Sequence, residues 1–214
     1  APRDAHVLRQ LPVLAVHRDE VPRPDQREHQ LEFHETLLPS LSKNVVSGNS
    51  LVSTDYESGD LFGDESAKRV NAMSFAARFP SIISSGGFDA IFGNPPYIRM
   101  EEFKPLKAYF AQMYSVHEER ADIYAYFVER ALSLLRSGGT LGMILSNKFM
   151  KAKYGRPLRQ LFDKNASVEK YVDLAGADVF HGATVRTVIV IAKKTTPQKK
   201  SGIAYVPLPT RWDL

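Results

Sequence analysis

Four consecutive residues have types and spacing that could act on an amine: Asn94, Pro95, Pro96 and Tyr97. Proline has a fixed φ and no N–H, so this loop is stiff and offers carbonyl acceptors without competing donors. The Asn94 side-chain oxygen and the Pro95 carbonyl could accept both hydrogens of a planar –NH2 group. This would aim the nitrogen lone pair at an electrophile, while Tyr97 offers a flat face. The pattern predicts a site for the exocyclic amine of an aromatic base, and a Pro-Pro turn without function is the alternative.

The residues before this loop indicate how it is positioned. Phe88 to Gly93 form a short apolar run between Gly86-Gly87 and the two prolines, which is typical of a buried strand. In open α/β sheets, ligands bind beyond the carboxyl ends of the strands. The amine-binding loop therefore lies where such a sheet places its active residues.

The rest of the chain alternates between strand-like and helix-like patterns. Apolar runs predict strands over residues 44–46, 140–145, 168–174 and 184–192, and apolar residues at helical spacing predict helices over 68–79, 122–136 and 154–164. Ser137-Gly138-Gly139 is typical of a glycine cap at the end of the second helix, and residues 99–120 are polar. This alternation predicts an α/β fold, with a Rossmann-like sheet of mostly parallel strands and helices on both faces.

Composition divides the chain into three parts. Residues 1–43 hold five of the 13 prolines and no glycine, so we interpret them as a linker or irregular segment with a short helical piece near 26–38. Residues 44–195 carry the predicted strands and helices. Residues 196–214 form a C-terminal tail or the start of a further region.

Positive charge is concentrated after the predicted active loop. The 214 residues contain 28 Lys+Arg and 24 Asp+Glu, for a formal charge of +4. Residues 146–200 contain 12 basic and 4 acidic side chains, or +8, which leaves −4 for the remainder. Such asymmetry favours a phosphate-backbone partner, although a solvated surface without a partner would show it too.

Several classes of protein are excluded or disfavoured. The chain has no cysteine, and no apolar run approaches the roughly 20 residues that cross a bilayer. The first ten residues do not have the pattern of a signal peptide, so we expect a soluble cytoplasmic protein without a membrane partner. His29 and His34 are not spaced as ligands on one helical face, and we predict no metal site.

The run from Phe88 to Tyr97 resembles the catalytic motif of the S-adenosylmethionine-dependent amino methyltransferases, above all the adenine-N6 DNA methyltransferases. Residues 121–124, 134–139 and 141–149 are similar to the segment that follows this motif in type I and type IIG restriction-modification enzymes, and residues 48–51 resemble the short motif that precedes it. Residues 179–187 resemble a later motif whose aromatic residue packs against the flipped base. The similarity extends from about residue 44 to 193.

The resemblance implies a role for each matching residue. Asn94 and the Pro95 carbonyl would hold the adenine amino group, and Tyr97 would stack on the base. Pro96 is the remaining residue of this catalytic motif. Phe180 would contact the base from the other side. The implied partner is double-stranded DNA with a flipped adenine, because such enzymes act on a base taken out of the stack. The residues expected to hold the flanking phosphates are Lys148, Lys151, Lys153, Arg156 and Arg159.

The implied cofactor is S-adenosylmethionine, with Asn49 and Asn94 as candidate contacts. The family holds this cofactor at a glycine-rich turn after the first strand, yet the chain has no glycine before Gly48. The sequence thus resembles the carboxyl part of a catalytic domain. We expect a missing N-terminal region or a partner chain to supply the cofactor half, unless the chain is a degenerate remnant. Residues 196–214 would then begin a target-recognition region.

Two other functions remain open from the sequence. Release-factor glutamine methyltransferases and some RNA methyltransferases share the Asn-Pro-Pro-Tyr motif or near variants of it, so a glutamine amide or RNA is an alternative substrate. A non-catalytic DNA-binding or partner subunit is the alternative from a different class. The basic segment after residue 146 favours DNA.

Overall fold

The computed structural model describes residues 14–16, 44–56, 70–99, 106–174, 186–195 and 203–207. These residues form a six-stranded sheet in the order β1-β2-β3-β5-β4-β6. The strands are β1 (Leu14–Val16), β2 (Phe88–Gly93), β3 (Leu135–Ser146), β4 (Ala166–Asp173), β5 (Thr187–Lys194) and β6 (Ala204–Pro207). The helices are α1 (Phe75–Arg78), α2 (Pro80–Ser84), α3 (Lys107–Met113), α4 (Tyr124–Leu134) and α5 (Arg156–Asn165). Two 3₁₀ helices, Asn147–Met150 and Lys153–Gly155, lie between β3 and α5.

The sheet is mixed in direction. β2 pairs with β3 and β4 with β6 in parallel, whereas β1 with β2, β3 with β5, and β4 with β5 pair antiparallel. The α/β class predicted from the sequence is confirmed. β2, β3, β4 and β6 run in one direction, as predicted for mostly parallel strands, whereas β1 and β5 run in the opposite direction. β5 returns between β3 and β4, a reversal that apolar runs do not reveal.

The described helices lie on one face of the sheet. α4 connects β2 to β3 and α5 leads from β3 to β4, and right-handed crossovers that advance in the same direction place both helices on the same face. α1 and α3 contact α4: Arg130 lies over the Phe75 ring at 5.3 Å, and the Phe110 and Tyr126 rings are 4.9 Å apart. On the opposite face, Phe92 is 43% exposed. Helices on both faces, as the sequence predicted, are therefore not seen among the described residues.

The core lies between this helical layer and the sheet. Ile91 of β2 and Leu141 and Leu145 of β3 are completely buried there. Each such side chain stabilises the fold by about 1.5–3 kcal/mol through removal of apolar surface from water. α4 is buried on most of its surface, with Tyr124, Tyr126 and Val128 at 1% exposure or less. The helix predicted over 122–136 is therefore the central helix of the layer.

The glycines after α4 have a different role from the predicted one. α4 ends at Leu134 and β3 begins at the next residue. Phe88 pairs with Leu135, but Ala90 pairs with Thr140, so residues 136–139 form a bulge in β3. Gly138, with a φ of 75°, lies in this bulge, where a positive φ is needed. Ser137-Gly138-Gly139 therefore bends the strand instead of capping the helix.

Three other elements differ from the sequence predictions. Residues 44–46 form no strand, although Asn49 makes a single parallel bridge with Ala72. The helix predicted over 68–79 is replaced by α1 and α2, which are divided at Phe79 because Pro80 disfavours a helical residue before it. The polar stretch 99–120 contains α3, which the fully buried Phe110 anchors.

None of the helices in the described ranges has the length and apolarity needed to span a membrane.

Gly87 allows the backbone of α2 and β2 to approach the end of α4. Its φ is 118°, and a Cβ there would overlap the Leu134 carbonyl oxygen and lie 2.9 Å from the Arg136 nitrogen. We expect Gly87→Ala to lower the free energy of unfolding by about 3–4 kcal/mol, since overpacking adds to backbone strain. Urea denaturation measures this change.

Gly86→Ala is the matched control for this prediction. Gly86 has a similar φ of 105°, but the nearest atom to a Cβ there is 3.9 Å away. We expect a loss of about 1–2 kcal/mol from the backbone conformation alone. Equal losses in the two variants would contradict the close approach at Gly87.

Candidate active site at the sheet edge

The Asn-Pro-Pro-Tyr loop follows β2 directly and lies against the carboxyl end of β3. The Tyr97 hydroxyl donates a hydrogen bond to the Ile144 carbonyl at 3.1 Å and lies 3.4 Å from Asn94 Oδ1. Pro95 is buried, whereas Asn94 is exposed. The loop therefore presents the Asn94 amide at the surface from a backbone that Tyr97 ties to the neighbouring strand.

Aromatic contacts behind the loop hold the Tyr97 ring. Tyr97 packs edge-on against Tyr124 at 6.0 Å, and Tyr124 in turn contacts Phe149 at 6.5 Å. Burial raises the pKa of Tyr97 to about 12, so its hydroxyl keeps its proton near neutral pH. Tyr97 is therefore a hydrogen-bond donor and an aromatic surface, and it is not a general base.

A carboxyl group that the sequence analysis did not assign lies beside this loop. Ile123 N donates to the Ile98 carbonyl at 2.8 Å, and Arg99 makes an antiparallel bridge with Asp122. Burial raises the pKa of the half-buried Asp122, while the positive charges of Lys148 and Arg99 oppose this effect. The residues just before α4 are thus paired with the residues that follow the Asn-Pro-Pro-Tyr loop. The sequence signal for Asp122 was its place in residues 121–124, which resemble the segment that follows the catalytic motif.

Asn49 lies in a buried turn. It is 1% exposed, its Oδ1 accepts from Leu51 N at 3.0 Å, and its backbone N–H donates to the Asn71 carbonyl at 2.6 Å. Asn49 Nδ2 and Ser50 Oγ are buried without a hydrogen-bond partner. Buried polar atoms in this state are uncommon and costly. Asn49, predicted as a cofactor contact, therefore organises the turn with one end of its amide and has an unpaired donor at the other.

Long-range hydrogen bonds connect this turn to the helical layer. Arg130 Nε of α4 donates to the Ser50 carbonyl at 3.1 Å. The Tyr114 hydroxyl donates to the Leu51 carbonyl at 2.7 Å, and Ser53 N donates to the Tyr109 hydroxyl at 3.0 Å. The sequence analysis missed these three supporting residues. Their partners lie 56 to 80 residues away, and no local pattern signals such contacts.

Four of the five predicted phosphate-binding residues lie at the surface. Lys148, Lys151, Lys153 and Arg156 are exposed along the two 3₁₀ helices and the start of α5. Arg159 is half-buried and differs in direction: its Nη1 donates to the Phe149 carbonyl and, at 3.0 Å, to the Ala152 carbonyl. Four of the five cations are therefore exposed, and the fifth donates to the backbone of the same segment.

Phe180 lies outside the described residues, so its contact with the base stays a prediction. The described ends on either side of it are adjacent in the sheet. Leu174 N donates to the Thr187 carbonyl at 3.0 Å, and Asn147 N donates to the Arg186 carbonyl at 3.0 Å. The described residues on either side of residues 175–185 thus lie at the same edge of the sheet as the end of β3.

Comparisons with known proteins identify the family of this chain. Residues 25–180 match the family model of the Eco57I restriction-modification methylases. The chain is 42% identical over 101 residues to the type II methyltransferase M.PaeR7I of Pseudomonas aeruginosa. This alignment covers 47% of this chain and 18% of that protein. It is 30% identical over 162 residues to the type II restriction enzyme and methyltransferase RM.Eco57I of Escherichia coli. That alignment covers 74% of this chain and 15% of the relative.

A third relative is the adenine-specific methyltransferase PglX of Streptomyces coelicolor, which is 28% identical over 166 residues and matches 71% of this chain and 14% of its own length. The chain thus spans less than a fifth of each of these three relatives. The family match covers well over half of the chain, including the Asn-Pro-Pro-Tyr loop and the basic segment after β3. The chain therefore belongs to the Eco57I restriction-modification methylase family.

Proposed function

We propose that this chain forms the target-base part of an S-adenosylmethionine-dependent methyltransferase that modifies the N6 amino group of adenine in DNA, within a restriction-modification system. The observation that carries the proposal is the exposed Asn94 amide at the end of β2, on a loop that Tyr97 ties to Ile144 of β3. The names of the relatives support it, since PglX is described as adenine-specific.

In the proposed mechanism, the loop acts by accepting hydrogen bonds. Asn94 Oδ1 and the Pro95 carbonyl each accept one hydrogen of the adenine amino group. The nitrogen lone pair is then less delocalised into the ring and points away from the two acceptors. Tyr97 packs against the base and fixes its plane. The C–N bond would form as the S–CH3 bond of the cofactor breaks and leaves a thioether. One N6 proton would then leave to solvent, so no residue needs to act as a base.

The bound cofactor would supply an electrophilic methyl group. Asn49 and Asn94 are the candidate contacts, and Asn49 fits this role in one respect: its Nδ2 is buried without a partner, next to Ser50 Oγ in the same state. Two unpaired polar atoms in one turn are suited to the edge of a ligand that docks on this turn. They would contact one part of the cofactor, and the family's glycine-rich turn would hold the rest.

DNA is favoured over a glutamine amide by the distribution of charge, and over RNA by membership of a restriction-modification methylase family. Lys148, Lys151, Lys153 and Arg156 are exposed on the segment that follows β3, whose carboxyl end also contacts Tyr97. A flipped base needs a hold on the flanking phosphates, which such cations supply. We therefore propose that this segment binds the DNA backbone on one side of the target adenine.

The first test changes the acceptor at Asn94. We expect Asn94→Ala to reduce kcat for methyl transfer by about 10²–10³-fold, because one of the two contacts that orient the lone pair is lost. Asn94→Asp keeps an acceptor oxygen at the same position and should retain more activity than Asn94→Ala. Radiolabelled methyl transfer to unmethylated DNA by the native protein measures both. Unchanged activity of Asn94→Ala would refute the proposal.

A second test separates the two functions of Tyr97. Tyr97→Phe keeps the ring but loses the hydrogen bond to Ile144, and we expect it to lower the free energy of unfolding by about 1 kcal/mol. Tyr97→Ala loses the ring as well and should impair methyl transfer far more than Tyr97→Phe does. Urea denaturation and the methyl-transfer assay measure these effects. Equal activity of the two variants would show that the ring does not contact the base.

Titration calorimetry with S-adenosylmethionine tests the cofactor half of the proposal. We expect no measurable binding by residues 1–214 alone, since the family's glycine-rich turn has no counterpart before Gly48. Tight binding by this chain would contradict an incomplete pocket. Salt-sensitive DNA binding by the native protein, combined with no methyl transfer, would favour the non-catalytic DNA-binding alternative.

A further inference from the structure

Residues 147–155, here called the basic loop, carry three exposed lysines on a compact backbone. Lys148 lies in the first 3₁₀ helix, Lys151 follows it, and Lys153 begins the second. Phe149 is 5% exposed and contacts Tyr124 at 6.5 Å and Phe162 of α5 at 6.3 Å. The loop is therefore fixed to the helical layer by one aromatic side chain between two cations.

Arg159, in helix α5, connects the two halves of the basic loop through hydrogen bonds. Its Nη1 donates to the Phe149 carbonyl in the first half and to the Ala152 carbonyl, at 3.0 Å, just before the second. Hydrogen bonds from a charged donor are stronger than neutral ones, and these two converge on one nitrogen. The guanidinium thus holds together carbonyls that lie three residues apart in a tight turn.

Gly155 gives independent evidence that the basic loop is folded back on itself. A Cβ at this position would overlap the Phe149 carbonyl oxygen and lie 2.6 Å from the Phe149 Cα. Gly155 N also donates to the Ala152 carbonyl at 3.2 Å. The backbone at the end of the loop therefore rests directly on its beginning, at the carbonyl that Arg159 binds.

We infer that Arg159 is a positioning residue that presets the basic loop for DNA, and that the exposed lysines, not Arg159, contact the phosphates. This inference rests on the proposed DNA-binding function. A loop that is ordered before binding loses less conformational entropy when its side chains engage the backbone of DNA. Arg159 would thus raise affinity without adding a phosphate contact.

The salt dependence of DNA affinity distinguishes a positioning residue from a residue that contacts a phosphate. Each phosphate neutralised on duplex DNA contributes about 0.9 to the slope of log K against log salt. Arg159→Gln should weaken binding about three- to tenfold at every salt concentration, as expected for loss of preorganisation, and leave the slope unchanged. The matched control Lys151→Gln removes one exposed charge from the same loop and should reduce the slope by about 0.9.

These measurements use the native protein and a fixed unmethylated duplex between about 50 and 200 mM salt. Arg159→Lys keeps the charge but not the planar fork, so we expect an affinity between those of the wild type and Arg159→Gln, again with the wild-type slope. If Arg159→Gln does not fold, Arg159→Lys carries the test. A slope that falls by about 0.9 in the Arg159 variant would overturn the inference.

Tryptic cleavage within the basic loop is the readout that does not depend on DNA. We expect faster cleavage after Lys151 and Lys153 in Arg159→Gln than in the wild type, since the bonds to Phe149 and Ala152 are lost. Unchanged cleavage would overturn the bracing role. If the wild type shows no salt-dependent DNA binding, the proposed function fails, while the cleavage rates still decide whether Arg159 orders the loop.

Discussion

The parallel pairing of β2 with β3 is the constraint on which the candidate site depends. It brings the carboxyl ends of both strands to one edge of the sheet, from Ala90 beside Thr140 to Gly93 beside Met143. The loop that leaves β2 is thereby placed against β3, where Tyr97 reaches the Ile144 carbonyl. Two parallel strands need a crossover, and the buried helix α4 provides it. The close contact at Gly87 then sets how tightly α4 and β2 can meet.

A row of aromatic side chains in contact with one another links the Asn-Pro-Pro-Tyr loop to helix α5. Tyr97 rests on Tyr124, Tyr124 on Phe149, and Phe149 on Phe162 of α5. The Asn-Pro-Pro-Tyr loop and the basic loop thus pack against the same row of rings. In the proposed function, this shared support would keep the amine-binding and phosphate-binding residues at a fixed separation, which base flipping requires. The turn at Asn49 is held by a separate set of bonds from Arg130, Tyr114 and Tyr109.

The structure distinguishes the roles of the basic residues, which the sequence alone does not. Residues 146–200 carry a surplus of eight positive charges, and nothing in their order distinguishes Arg159 from its neighbours. In the structure, Lys148 and Lys151 are exposed, whereas Arg159 donates to two backbone carbonyls. A basic segment can therefore include cations that shape the surface as well as cations that form it. Asp122, which is within electrostatic reach of Lys148 and Arg99, adds a half-buried acid to the same edge.

The sequence by itself determined the α/β class and the family, and it carries the proposed chemistry of the Asn94–Tyr97 loop, because these depend on residue types and spacings within a few positions. Tertiary structure decided the antiparallel return of β5, the bulge at Gly138, and the burial of α3 around Phe110. It also decided which cations face outward and which residues support the turn at Asn49. These features arise from contacts between residues far apart in the chain, and local hydrophobic periods hold no record of the partner that a strand or side chain will meet.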